Sequence, residues 1–271
     1  MRTEEKPSEA YTMITGATGG LGRAFVRLAA RNGENLILTG RSEEKLRLLK
    51  EKVLFENTGS DVRIFAADLS DGQSRDALMN YIAGEKLTIG RLINVAGADI
   101  QKPFIEYTQE KISFQCRVNF EAAAALSRFA IGHRNKGGLE IINISSVSGL
   151  CPMPYFALYS AAKSALTSFS VALREEMKGK GVKVTAVLAG AMPTRADVKE
   201  QIAGQGLWGK LAAKSPEFVA EKSLKAVKKN KRKVIPGFFN NVMNLLLKIL
   251  PLSWKLRFIA RRWSRISKDA F

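Results

Sequence analysis

Apolar residues fall in short, nearly unbroken bursts separated by longer amphipathic stretches. The bursts read "YTMIT", "NLILTG", "VRIFAADLS", "RLINVAG", "LEIINISS", "VKVTAVLAG" and a brief "KVIPG". Between them lie helical patterns such as "GRAFVRLAARNG", "EEKLRLLKEKVLF", "RDALMNYIAG", "FEAAAALSRFAIGHR" and "YSAAKSALTSFSVALREEMKGKG". Strands that are apolar at successive positions, rather than at alternate ones, are buried on both faces. Alternation of such strands with helices predicts a doubly wound α/β fold with a parallel sheet, whose ligand sites lie at the carboxyl ends of the strands. The expected organisation is an N-terminal tail (1–10), one domain over 11–237, and a helical C-terminal extension (238–271). No internal repeat or low-complexity linker divides the domain.

Composition narrows the function. At 271 residues and 46% hydrophobic content the chain has ample material for one large core. Cys116 and Cys151 form no metal-type pair, and His133 is the single histidine. A structural zinc set is thereby excluded, and a Ser-His-Asp triad could draw only on His133, which reads as a solvated or capping residue at a helix end. The cysteines are expected as reduced core or pocket thiols of a cytoplasmic protein. "MRTEEKPSEA" has no apolar core of the secretory kind, and "VMNLLLKIL" is too short to span a bilayer. The net charge of +18 is uneven: fourteen Lys/Arg against Asp269 give +13 from Lys222 onward, leaving +5 for the rest.

Two patterns carry chemistry. "TGATGGLGR" (15–23) sits between the first strand and first helix, where glycines let the backbone approach a pyrophosphate at a positive helix N-terminus. Its spacing fits both GxxGxxG and GxxxGxG, and the absence of G-K-[ST] argues against an ATP-type P-loop. In "YSAAK", Tyr159 and Lys163 are four apart, so both heads share a helix face. A tyrosine pKa of about 10 needs on the order of 4 kcal/mol to approach neutrality. A cation about 4 Å away at an effective dielectric of about 20 supplies that order of energy. Lys163 is therefore expected to bring the Tyr159 phenol downward.

From about Tyr11 to Gly237 the sequence resembles the short-chain dehydrogenase/reductase family. The resemblance rests on Thr15, Gly16, Gly20 and Gly22 of the turn, "AADL" with Asp68, "NVAG" (94–97), Asn119 in "RVNF", Ser146, and "YSAAK" thirteen residues later. It implies a Rossmann-like, three-layer α/β/α fold and a carbonyl–alcohol oxidoreductase. Tyr159 would be the general acid/base, Ser146 would hydrogen-bond the substrate oxygen, and Lys163 would hold the nicotinamide ribose. Asn119 would support a proton-relay water, and Asp68 would contact adenine. The implied cofactor contacts extend to Thr18, Leu21, Leu69, Asn94, Ala96, Gly97, Gly190 and Thr194. One departure stands out: Ala189 takes the place of the family's usual proline after the sixth strand, which predicts a less rigid loop. A homo-oligomer, dimer or tetramer, is also expected.

At the end of the second strand the chain reads "GRSEEK", with Arg41 and Ser42 where an NAD enzyme carries an acid. A guanidinium pairs with a 2′-phosphate, so NADP(H) is the expected cofactor, with Arg23 adding positive potential. Leu150, Cys151, Met153, Tyr155, Phe156 and Met192 are the expected pocket walls, with 191–214 as a lid containing Gly204, Gly206 and Gly209. Their apolar character points to a fatty-acyl, steroid-like or retinoid-like alcohol or ketone. In the tail, Leu252, Leu256, Ile259, Trp263 and Ile266 share one helical face, with basic residues over the rest. Two readings stand side by side: peripheral contact with the cytoplasmic membrane face, or packing on the protein's own core or a partner. Nucleic-acid binding is not expected, because no recognition motif accompanies the charge. Two other functions compete with the oxidoreductase: an idle NADP-binding regulator at a membrane, and a sugar-nucleotide epimerase or dehydratase. Chain length counts against the second and the complete catalytic set against the first.

Overall fold

A computed structural model describes residues 10–57, 59–194, 198, 203 and 211–264. Seven strands form one sheet, β1 (Ala10–Thr15), β2 (Asn35–Gly40), β3 (Val62–Ala66), β4 (Thr88–Asn94), β5 (Leu139–Ser146), β6 (Val182–Ala189) and β7 (Lys233–Val234). All are parallel, in the order β3-β2-β1-β4-β5-β6-β7. Chain direction across the sheet reverses between β1 and β4, which opens a crevice at their carboxyl ends. The fold is the Rossmann-like α/β architecture that the hydrophobic bursts predict.

The helices are α1 (Gly20–Arg31), α2 (Glu43–Glu56), α3 (Gly72–Gly84), α4 (Gln109–Cys116), α5 (Ala122–Gly132), α6 (Ala157–Glu176), α7 (Pro216–Lys228), α8 (Phe238–Ile249) and α9 (Leu252–Trp263). Several begin on a side chain that satisfies an otherwise unpaired amide. Ser42, Asp71, Thr108 and Ser215 accept from the backbone N–H three residues on. Helix α7 carries a plain start signal, Ser215 followed by Pro216 and Glu217.

Successive strand residues point to opposite faces, which explains why the bursts are continuous. Ile14, Leu36, Leu38, Ile142 and Val187 pack with Phe25, Val219 and Val227 on one face. Their neighbours Met13, Ile37, Ile141 and Val184 pack with Leu78, Ile82, Leu126 and Leu173 on the other. At the amino end of the sheet, Arg91 bridges Glu34 and Glu140, with its Nε 2.9 Å from the Glu140 carboxylate. Cys116 is exposed at the end of α4, and Cys151 is half-buried. The expectation of a core or pocket thiol therefore fails for Cys116, because α4 turns that face outward.

Candidate active site

The glycine turn is built by close approach. Gly16 has φ +60, and a Cβ there would lie 3.1 Å from the Ala96 backbone. A Cβ on Gly22 would fall 2.1 Å from the Gly16 carbonyl oxygen, so α1 can start here only as glycine. Thr15 Oγ1 accepts from the N–H groups of Val95 (2.9 Å) and Ala96 (3.0 Å), binding the β1 turn to the loop after β4. Gly19 caps α1 without a side-chain hydrogen bond, leaving its first turn open to an anion.

A cleft of about 520 Å³ runs along the carboxyl ends of the central strands. Its walls include Gly16, Thr18, Gly20, Leu21, Gly22, Arg41, Asp68, Leu69, Ala96 and Gly97 from one half. Ser146, Phe156, Tyr159, Lys163, Gly190, Met192 and Thr194 come from the other. The structure thus brings residues from seven separate chain segments to one crevice. Thr15, Ser42, Asn94 and Asn119 stand behind that surface. Ser42 caps α2. Buried Asn94 donates to Asn143 Oδ1 (2.8 Å) and ties β4 to β5. Leu150, Cys151, Met153 and Tyr155 lie in the turns between β5 and α6, outside the lining of this cleft. Gly204, Gly206 and Gly209 of the expected lid fall outside the described residues.

Asn119 sits on a π-helical turn, Arg117–Glu121, inserted between α4 and α5. The extra residue rotates its buried side chain inward, where Nδ2 donates to Ala98 O (2.8 Å) and Gln115 Oε1 (2.9 Å). A Cβ on Gly97 would meet Asn119 Oδ1 at 2.8 Å and Lys163 Nζ at 3.1 Å. Asn119, Gly97 and Lys163 therefore form one packed set. Lys163 Nζ donates to Ile144 O (3.0 Å) and lies 5.7 Å from the Tyr159 ring centroid. Phe156 stacks on Tyr159 at 4.4 Å, and Ser146 hydrogen-bonds the Tyr159 hydroxyl. The turn carrying Ser146 is pressed against α6: a Cβ on Gly149 would lie 2.8 Å from the Lys163 carbonyl carbon and Ser164 N.

The electrostatics differ from the expectation for Tyr159. Burial pushes its hydroxyl upward, Asp99 in the cleft wall adds to this, and the hydrogen bond from Ser146 offsets only part. The same burial lowers Lys163 to about 8 against a partial upward pull from Asp99. Desolvation dominates, so within the protein Tyr159 is a neutral phenol at pH 7.

Two further cations and one amide belong to the surroundings. Arg41 and Arg117 together line an adjoining hollow of about 570 Å³ beside Asp68, whose Oδ1 accepts from Ser70 N (2.9 Å). Gln101 lines the main cleft with its Nε2 buried and unbonded among the described residues. Nothing in local sequence pattern singles out Arg117, Gln101 or Gly149, because their positions depend on packing between distant segments. Asn240 of α8 was equally hidden. It is buried, donates to Ala212 O (3.0 Å) and Pro236 O (2.9 Å), and sits where a Cβ on Gly190 would be 2.8 Å from its Nδ2. The loop that follows Ala189 is therefore held by the C-terminal extension. Trp263 of α9 also lines the cleft. Among the described residues no cluster could hold a metal ion.

The family model described as short chain dehydrogenase matches residues 10–203. The very-long-chain 3-oxoacyl-CoA reductase of Anas platyrhynchos is 33% identical over 187 residues, 66% of this chain and 58% of that protein. The 17-beta-hydroxysteroid dehydrogenase type 3 of Mus musculus is 33% identical over 178 residues, 64% of this chain and 56% of that protein. The chain thus spans less than two thirds of the length of either relative. A short-chain dehydrogenase from Sphingobium yanoikuyae, solved in complex with NADPH, superposes with a TM-score of 0.73. It is 25% identical and covers 89% of this chain and 96% of its own.

Proposed function

The chain belongs to the short-chain dehydrogenase family, and from that premise we propose that it is an NADPH-dependent reductase of a ketone on a lipophilic substrate, a long-chain 3-oxoacyl thioester being the first candidate. The observation that carries this reading is the convergence of Ser146, Tyr159 and Lys163 beside a glycine-lined crevice that ends at Arg41. The residues present suit a dinucleotide. A cradle at Gly16 and Gly22 admits no Cβ, the first turn of α1 faces it, and Arg41 stands at the end of β2 with no carboxylate before Glu43. Arg41 supplies a planar donor for a 2′-phosphate, with Arg117 across the same hollow. Bound NADPH supplies the hydride to the carbonyl carbon.

The protein's own part is the proton. Tyr159, kept neutral by burial, donates its phenolic proton to the carbonyl oxygen as that oxygen gains the C=O electron pair. Ser146 hydrogen-bonds the same hydroxyl and fixes its direction. The phenolate left on Tyr159 is stabilised by the Lys163 ammonium, and Asn119 with Gly97 holds that lysine in place. At pH 7 the phenol holds the proton that reduction consumes, whereas oxidation requires the phenolate. The apolar wall formed by Phe156, Met192 and Trp263 suits a hydrophobic chain, and the names of the two relatives concern acyl and steroid substrates.

The test is NADPH consumption by the purified protein with medium- and long-chain 3-oxoacyl thioesters and with steroid ketones. Turnover that rises with acyl-chain length is the expected result. Reduction of short polar ketones only, or turnover with NADH in preference to NADPH, contradicts the reading.

A further inference from the structure

Helices α8 and α9 each present an apolar face to solvent that none of the other described residues covers. In α8, Phe238, Val242, Leu245 and Ile249 recur at spacings of four, three and four, which aligns them down one face. Their exposures are 85, 37, 59 and 76%. The inner face of the same helix carries buried Asn240 and half-buried Met243. In α9, Leu256, Ile259 and Trp263 are half-buried and face the protein, with Trp263 in the wall of the cleft. The opposite face shows Trp254 and Phe258, 63 and 66% exposed. The expected seam of Leu252 with Leu256 and Ile259 is thus only partly inward, since Leu252 is itself exposed.

The charge around this ridge selects what covers it. From Phe238 to Ser264 the sequence contains five Lys/Arg and no Asp or Glu. Arg257, Arg261 and Arg262 are exposed on α9, and Lys248 is exposed at the end of α8. A twofold pairing of this face with its own copy would bring that cationic surface against itself. An anionic lipid surface matches both properties, apolar residues entering the acyl boundary while the basic groups meet headgroups. No helix among the described residues is long and apolar enough to cross a bilayer, so the contact is with the surface.

We propose that α8 and α9 form a docking face for an anionic membrane surface, seated on the ridge Phe238, Leu245, Ile249, Trp254 and Phe258. Because α9 contributes Trp263 to the cleft and α8 pins Gly190 through Asn240, docking places the cleft beside the lipid. The docking face itself does not depend on which substrate the site takes.

Flotation with vesicles of phosphatidylcholine containing one third phosphatidylserine, compared with pure phosphatidylcholine, reads this directly. The expected result is at least tenfold more bound protein on the anionic vesicles, falling as salt is raised. Leu245→Glu with Phe258→Glu abolishes binding, and Arg257→Gln with Arg261→Gln removes the preference for anionic lipid. All these side chains are exposed, and unchanged NADPH affinity and melting temperature certify that the variants are folded. Equal partition to both vesicle types, or no flotation of wild type at low salt, overturns the proposal. So does a concentration-dependent dimer that the glutamate substitutions abolish in the absence of any lipid binding. Loss of reductase turnover without loss of flotation would strike the substrate reading and leave the docking face standing.

Discussion

At the scale of single residues the site is a contest between desolvation and charge. Lys163 is buried among Gly97, Asn119 and the Ile144 carbonyl, and its pKa falls from 10.5 to about 8. Its ammonium is therefore present below about pH 8 and lost above it. Reduction is expected to decline as pH rises through that value. The linkage sign separates this from unfolding: between about 8 and 10.5 the unfolded chain binds the extra proton, so this group's contribution to stability rises with pH while activity falls. Asp99 pulls the lysine upward, so Asp99→Asn shifts the falling limb of the kcat–pH profile below that of wild type. A limb that stays in place contradicts this coupling. At the other end of the cleft, Arg41→Ala is expected to weaken NADPH binding by roughly 10- to 100-fold, the range of a charged hydrogen bond, with NADH changed about twofold or less. Paired fluorescence titrations check it, and equal loss for both cofactors contradicts a role at the 2′-phosphate.

Elements that bury both faces of a strand announce themselves in sequence, because each residue must be apolar whichever way it points. The strands β1 to β6 were legible on that basis, the two-residue β7 only as a brief apolar run, and so was the turn at Gly16–Gly22, where backbone crowding demands glycine. Helix α7 lies outside those patterns, with Val219, Ala220, Ser223 and Val227 on its inward face. The Ser215-Pro216-Glu217 start was its readable signal. Asn240 and Gly149 could not be read, for their neighbours come from other segments, and Trp263 was legible as part of a helical face but not as a wall of the cleft. The same limit applies to Tyr159, whose neighbour Lys163 is visible in sequence while the burial that raises its pKa is not. Within the sheet, Arg91 illustrates an element held by charge. It stands between Glu34 and Glu140, both largely shielded from solvent. Arg91→Met leaves two carboxylates without their partner and is expected to cost about 3–5 kcal/mol in chemical denaturation. A loss below about 1 kcal/mol shows that water or Lys183, 3.6 Å from Glu140, takes over.

Across the whole molecule the carboxyl ends of β1, β4, β5 and β6 converge on a single crevice, and the C-terminal helices close one side of it. Thr194 touches Gly20, Asn240 fills the space at Gly190, and Trp263 joins the wall. The basic C-terminal extension, with seven Lys/Arg against Asp269 from Phe238 onward, is thus also structural. Own-core packing and the proposed lipid contact are compatible, since each would use a different face of the same helices. In the proposed reaction the proton comes from Tyr159, and removing that hydroxyl leaves ring packing against Phe156 in place. The decisive measurement is the rate of NADPH-dependent reduction of a long-chain 3-oxoacyl thioester by wild type and by Tyr159→Phe at equal cofactor saturation. A loss of about 10²- to 10⁴-fold in kcat with unchanged NADPH affinity is the predicted result, and a variant that keeps wild-type turnover contradicts the assignment of Tyr159 as the proton donor.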